Sequence, residues 1–359
     1  MAEWARVVNT TTKQFLKGET VQVLRNRKLL AMLNDRGRIT HNHSGTEVQW
    51  QVRYKQAPMI GFDDSDTMTF SRINRWKQAS LPWRGCIVTD SMNKREKEIN
   101  KGTEALIKVY SMVASQLMQD LEEQFGDLLY IDGNASGNGK LIHGIESFMG
   151  VSGTVSGSPV GNPSDTYAGL STALGNYGGA WSGTWPTGTG DAHYDFFSPT
   201  IVDYTNTFWG YPTNNWAATC RDALRYGIIK GKKNKSKRGQ LDVVILNDEL
   251  YRSFVQQLQL EENLQITPQN GSSGLWKLGF TDLQNFDGID VTYEYGVPTG
   301  LGYGWCMDLV ELMSLQGDLF VPEGPDFDIA SQSWRFSLDF LGNLKVEAVR
   351  NFAKWIAIS

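Results

Sequence analysis

The sequence predicts an α+β chain, and three observations point there. Residues 93 to 126 keep apolar side chains at helical spacing for far longer than an ordinary globular helix. Residues 46 to 56 alternate apolar and polar side chains with the period of a strand. Short apolar runs bounded by turn residues fill the chain after residue 241, in a sequence with 37 glycines, 12 tryptophans and 13 tyrosines. Such a composition favours β structure and tight turns.

Taken in order, residues 1 to 45 read as an extended arm holding one amphipathic piece, VLRNRKLLAMLNDRG. There Leu24, Leu29, Leu30 and Leu33 could dock a short helix that Gly37 ends. In the next strand Val48, Trp50, Val52 and Tyr54 share one face, while Glu47, Gln49, Gln51, Arg53 and Lys55 share the other. An acidic tip, FDDSD, follows at 62 to 66, and INRWKQASLPWRGCIVTD returns as the second arm of a long hairpin, with Pro82 marking an exposed edge. Little apolar mass stands behind this hairpin, so Trp50, Trp76 and Trp83 are expected to need a neighbour to bury them.

The long helix has Asn93 as N-cap and Glu96 three residues on, with Gly126 closing it. At ~1.5 Å per residue it would be a rod of about 45 Å. DGNASGNGKLIHG, 132 to 144, is then a glycine-built turn. Its glycines have the wrong spacing for a phosphate loop, Lys140 is followed by Leu141 instead of a hydroxyl, and it follows a helix instead of preceding one.

Residues 151 to 212 lack Lys and Arg and are rich in Gly, Ser, Thr, Trp and Tyr, which reads as an inserted lobe of loops and short strands. A helix from about 214 to 228 leads into the loop GKKNKSKRG. Lys230, Lys232, Lys233, Lys235, Lys237 and Arg238 lie in or beside it, and the remaining 28 of the 34 basic residues face 39 acidic ones. LDVVILN is a strand, DELYRSFVQQLQLEE a helix capped by Asp248, and IDVTYEYGVP and GWCMDLVELMSL are strands. GLGYG, 300 to 304, reads as a hairpin loop, and the C-terminus as a closing hairpin turning at LGN.

No catalytic, cofactor or metal site emerges. His41 and His43 have no third ligand nearby, Asp191, His193 and Asp195 fit a polar turn, and there is no GxSxG elbow. FDDSD lacks the glycine and distal glutamate of a calcium loop. The net charge of −5 argues against a basic nucleic-acid binder as a whole, so the 230 to 238 run is either a solvated loop or a local contact to phosphates. Cys86, Cys220 and Cys306 lack motif spacing and read as reduced thiols. No apolar run reaches membrane-spanning length, and MAEWARVVNTTTKQFLKGE lacks the apolar core of a secretory signal, which predicts assembly in a cytoplasm.

The order of elements resembles the major capsid proteins of tailed bacteriophages, with the Hong Kong 97 fold. IHGIESF after the long helix, WAATCRDALRYGI, LDVVILNDELYRSFVQQL, FDGIDVTYEYGVP, YGWCMDLVELM and LKVEAVRNFAKWIAI each resemble a segment of that family, over about residues 20 to 359. The resemblance implies an N-terminal arm (1–45), an extended-loop hairpin (46–91), a spine helix and peripheral domain (92–150), an axial domain with a backbone helix (213–335) and a closing hairpin returning to the peripheral domain (336–359), and the chain departs from it in an inserted lobe or enlarged loop (151–212). It implies self-assembly in hexamers and pentamers into an icosahedral, DNA-filled head, with scaffolding, portal and decoration proteins as partners, no membrane, no cofactor and no enzymatic activity. Trp50, Tyr54, Trp76 and Trp83 become candidates for contacts between subunits, and the six cations of 230 to 238 for a DNA-facing surface. An encapsulin-like compartment shell and a glycan-binding β protein are the alternatives.

Overall fold

The computed structural model describes residues 27–53, 60–72, 74–99, 103–155, 157–174, 197–233, 240–262 and 275–358. The described chain begins with α1 (Lys28–Asp35), β1 (Ile39–Thr40), β2 (Glu47–Arg53), β3 (Trp76–Pro82), β4 (Arg84–Asn93), α2 (Lys94–Ile99) and α3 (Thr103–Leu128). Short strands follow as β5 (Val151–Thr154), β6 (Gly161–Pro163), β7 (Thr166–Tyr167), β8 (Leu170–Ser171) and β9 (Thr200–Asp203). Next come α4 (Trp216–Lys233), β10 (Val243–Leu246), α5 (Asp248–Glu262), β11 (Gln284–Phe286), β12 (Ile289–Tyr293) and β13 (Gly302–Trp305). The chain closes with β14 (Val310–Ser314), β15 (Val321–Asp328), β16 (Ser333–Val346) and β17 (Ala353–Ile356).

Two sheets organise the body. One has six strands in the order β11-β12-β10-β13-β17-β9. Its centre, β10, is apolar at every position because both faces are covered. Val243 and Ile245 join the core beneath α1 and α3, while Val244 and Leu246 join the cluster with Trp216, Leu224, Phe254 and Trp355 under α4 and α5. The other sheet has five strands, β1-β14-β16-β15 with β4 on β16. α3 lies against it: Val113 and Leu117 pack on Met92 and Phe336, and Phe125 meets Phe320 and Phe340 edge to face at 5.0 and 5.1 Å. α1 forms as its leucine spacing predicts. Leu29, Leu30 and Leu33 are fully buried, each contributing roughly 1.5–3 kcal/mol, and Gly37 takes φ +61° beyond the helix end.

Three differences from the sequence reading share one cause: a glycine can serve close packing as well as a turn. Gly126 does not close the long helix, which continues to Leu128; a Cβ there would strike the Arg27 side chain laid across it. Gly302 and Gly304 of GLGYG are not a hairpin loop but part of β13, where Leu246, Leu241 and Ala353 occupy the space of their missing side chains. The closing hairpin expected at 336 to 359 is absent. β16 runs straight through LGN, because Gly342 lets the Met313 carbonyl of β14 approach its backbone, and β17 then joins the other sheet.

Other elements split or shift. The hairpin return breaks at Trp83, with β3 pairing β2 and β4 pairing β16. GWCMDLVELMSL forms β13 and β14, one in each sheet, joined by the 3-10 turn Met307–Leu309. IHGIESF gives the 3-10 turn Ile145–Phe148. The cap of α5 is Asn247, whose Oδ1 accepts from Glu249 N at 3.2 Å, with Asp248 as the first helical residue. Both flanks of the expected inserted lobe belong to the body: Tyr167, Leu170 and Phe197 are core residues, and β9 pairs β17. Asp191, His193 and Asp195 lie outside the described residues.

Candidate assembly interface

The hairpin has a packed base and an exposed extension. Along β2 and β3, Val48, Val52, Ala79 and Leu81 are buried, as the alternation predicts. Trp50 and Trp83 are partly covered within the chain. The Trp50 ring lies 6.4 Å from that of Tyr167, with Lys345 Nζ 5.9 Å from its centroid. Trp83 donates Nε1–H to Gly45 O at 3.0 Å and stacks on His43 at 6.1 Å. Trp76 is 53% exposed, and Tyr54 lies outside the described residues. Beyond the base, Ile60, Phe62, Met68 and Phe70 are all exposed, Phe70 at 96%. The sequence reading passed over these four because they flank the acidic tip; the motifs MIGF and TMTF were the available signal. These large apolar side chains make the segment a candidate contact surface.

The arm enters the body through a buried polar anchor. Lys28 Nζ donates to Thr292 Oγ1 at 2.8 Å and to Tyr293 O at 2.9 Å, and Glu294 Oε2 accepts from Leu29 N at 3.2 Å and from Tyr130 Oη at 3.1 Å. Burial lowers the pKa of Lys28 and raises that of Glu294. Arg27 donates to Glu122 O and Glu123 O at 3.2 and 2.8 Å, placing a cation on the carbonyls near the end of α3. A buried cation on β17 does similar work. Lys354 bonds Glu146 and, at 3.0 Å, Met149 O, while Tyr303 Oη donates to Glu146 at 2.7 Å.

The hairpin base is held by His143 and Asn343. Asn343 Oδ1 accepts from His143 N and Leu344 N, both at 2.9 Å, so Nδ2 donates to Pro82 O at 2.8 Å and to His143 Nδ1 at 3.0 Å. Burial, with the Arg84 guanidinium nearby, pushes the imidazole down to about 4. The unfolded chain takes up this proton near 6.5 and the folded chain only near 4, so this contribution is complete above about 6.5 and is lost as pH falls towards about 4. The expected loss is about 3 kcal/mol. Urea unfolding across that window should show the slope in the native chain and not in His143→Asn.

The basic run begins on a helix, not in a loop. α4 continues through Lys230, Lys232 and Lys233, five residues past Ile228. Lys230 Nζ sits 5.5 Å from the Tyr226 ring centroid and Lys232 Nζ donates to Asp287 O at 2.7 Å. Lys235, Lys237 and Arg238 lie outside the described residues. Cys220 and Cys306 are buried, and all three cysteines are free thiols whose pKa burial raises. Among the described residues no group of three potential metal ligands occurs, and no helix is long and apolar enough to cross a membrane.

No family model matches the sequence, and no curated protein matches it. Solved structures do match. The chain aligns with the capsid asymmetric unit of cyanophage A-1(L) over 92% of its own length and 93% of that chain, with a TM-score of 0.56 and 15% identity. For the capsid of a native GTA particle the values are 90% and 89%, 0.51 and 8%. For the empty GTA particle they are 90% and 96%, 0.50 and 9%. At such identities the likeness is one of fold, and it spans nearly the whole of each chain. An exposed hairpin, a long helix on a five-stranded sheet and a six-stranded sheet flanked by helices give this chain the Hong Kong 97 fold, the fold of phage capsid subunits.

Proposed function

We propose that the chain is a major capsid protein that assembles, as hexamers and pentamers, into the icosahedral head enclosing the double-stranded DNA of a tailed phage. The observation that carries this is the exposed apolar extension on a body whose fold is that of capsid chains. Ile60, Phe62, Met68, Phe70 and Trp76 are the side chains a neighbouring copy would cover, with Tyr54 beside them in sequence. The five-stranded sheet with α3 corresponds to the peripheral domain, and the six-stranded sheet with α4 and α5 to the axial domain. Each contact is of moderate strength, and repetition round closed rings makes the shell stable. The role is structural, within the virion, after assembly in the cytoplasm of a prokaryotic host with scaffolding and portal proteins, and decoration proteins would bind the finished surface. The basic run starting at Lys230 would contact DNA phosphates without reading sequence.

Replacing Phe62, Phe70 and Trp76 together with serine tests the reading. Changes at such exposed positions should leave the unfolding free energy of the subunit within about 0.5 kcal/mol per site. Fast-sedimenting particles should nevertheless disappear. A variant that assembles like the native chain would remove the extension from the interface.

A further inference from the structure

The glycine turn after α3 holds two steps at which a glycine follows a carboxylate or carboxamide, and the fold treats them oppositely. At Asp132–Gly133 the backbone is enclosed. Gly133 N donates to Ser147 Oγ at 2.9 Å, and a Cβ on this buried glycine would lie 2.9 Å from Ile142 O. At Asn138–Gly139 the backbone is open. Gly139 is exposed, and no atom lies within 4 Å of the place its Cβ would take. Its N–H donates to no acceptor among the described residues. The Asn138 carboxamide donates through Nδ2 to Asp132 O at 2.8 Å. Asn134 in the same turn is held twice, donating to Ser147 O at 3.1 Å and Thr166 O at 2.9 Å, and Ala135 follows it.

We infer that Asn138 is a site of spontaneous covalent modification: deamidation through a cyclic imide with Gly139, which loosens the turn at the root of the hairpin. Asparagine is a chemically labile residue. The reaction needs a backbone nitrogen engaged by nothing else, on a residue without a Cβ to block the approach, and Gly139 supplies both. Gly139 N bonds to Asn138 Cγ, and the Cγ–Nδ2 bond breaks. The proton of Gly139 N passes through water to the departing nitrogen, which leaves as ammonia. Water then opens the imide at either carbonyl, giving aspartate or isoaspartate. A carboxylate cannot donate, so Asp132 O loses its partner. Isoaspartate also lengthens the main chain between two turn bonds, Asn138 N to Ala135 O at 3.0 Å and Leu141 N to Asn138 O at 2.9 Å. Arg84, the first residue of β4, grips the same turn through Gly133 O and Leu141 O at 2.6 and 3.0 Å.

The test incubates the folded full-length chain at mildly alkaline pH and maps aspartate and isoaspartate by peptide mass spectrometry, with a free peptide of residues 132–144 alongside. Position 138 should convert in the folded chain, and Asn134 should stay intact. Gly139→Ala has room for its Cβ and should slow conversion by about fivefold, through the lost backbone freedom alone. Hydrogen exchange across residues 138 to 141 should be faster in the converted chain than in the fresh one. If Asn138 stays intact in the folded chain while the free peptide converts, the fold protects the step and the inference is overturned. Conversion of Asn134 ahead of Asn138 would overturn it as well. Conversion at 138 with unchanged exchange would show that the carboxamide does not hold the turn.

Discussion

Trp355→Ala is expected to lower the unfolding free energy of the unassembled subunit by about 4 kcal/mol, within the range for emptying a large core site. Trp355 is fully buried on β17 and donates Nε1–H to Ala223 O at 2.8 Å, joining the six-stranded sheet to α4. The surroundings are shaped to its ring. A Cβ at Gly227 would lie 2.5 Å from Trp355 Cζ2, and Gly304 lies against the ring from β13, where a Cβ would be 3.3 Å from Cζ3. Backbone approaches this close cannot collapse to fill a vacancy, so the cavity term should be felt in full. Urea unfolding should show a lower midpoint at unchanged slope. A loss below about 1 kcal/mol would mean that Trp355 does not join α4 to the sheet as described.

Asn343→Ala is expected to cost about 3 kcal/mol by a different mechanism. The side chain removes little volume, but its amide satisfies Pro82 O, His143 N, Leu344 N and His143 Nδ1. Alanine would leave buried donors and acceptors from three segments unpaired: the end of β3, the glycine turn and β16. Asn343→Asp preserves the shape yet should not rescue, because a carboxylate cannot donate to Pro82 O. The same unfolding assay checks both variants, and recovery to native stability in Asn343→Asp would show that shape, not hydrogen bonding, holds the hairpin base.

The elements legible in the sequence were those with a single-face pattern. The leucine spacing of α1, the alternation of β2, the long period of α3 and the apolar block of β10 each follow from burial on one or two defined faces. What could not be read was the reason for particular small and polar residues. Gly126, Gly302, Gly304 and Gly342 look in sequence like the turn-forming glycines at 37 and 210, yet they are packing positions without a positive φ. The asparagine of LGN, Asn343, looks like a turn residue and is a buried four-way hydrogen-bonding centre. Such roles depend on what a distant segment brings alongside, and local pattern carries none of that information.

The candidate surfaces were partly legible for the same reason. Trp76 stands exposed, whereas Trp50 and Trp83 are partly covered by Tyr167, Lys345, His43 and the Gly45 carbonyl, partners remote from them in sequence. Phe62 and Phe70 stand exposed among the described residues.

Electron microscopy of the purified full-length chain, expressed with a scaffolding protein where one is needed, tests the central claim most directly. Closed shells of uniform curvature, built from rings of this subunit, are expected. A stable, folded monomer that forms no shell under assembly conditions would contradict the assignment as a capsid subunit.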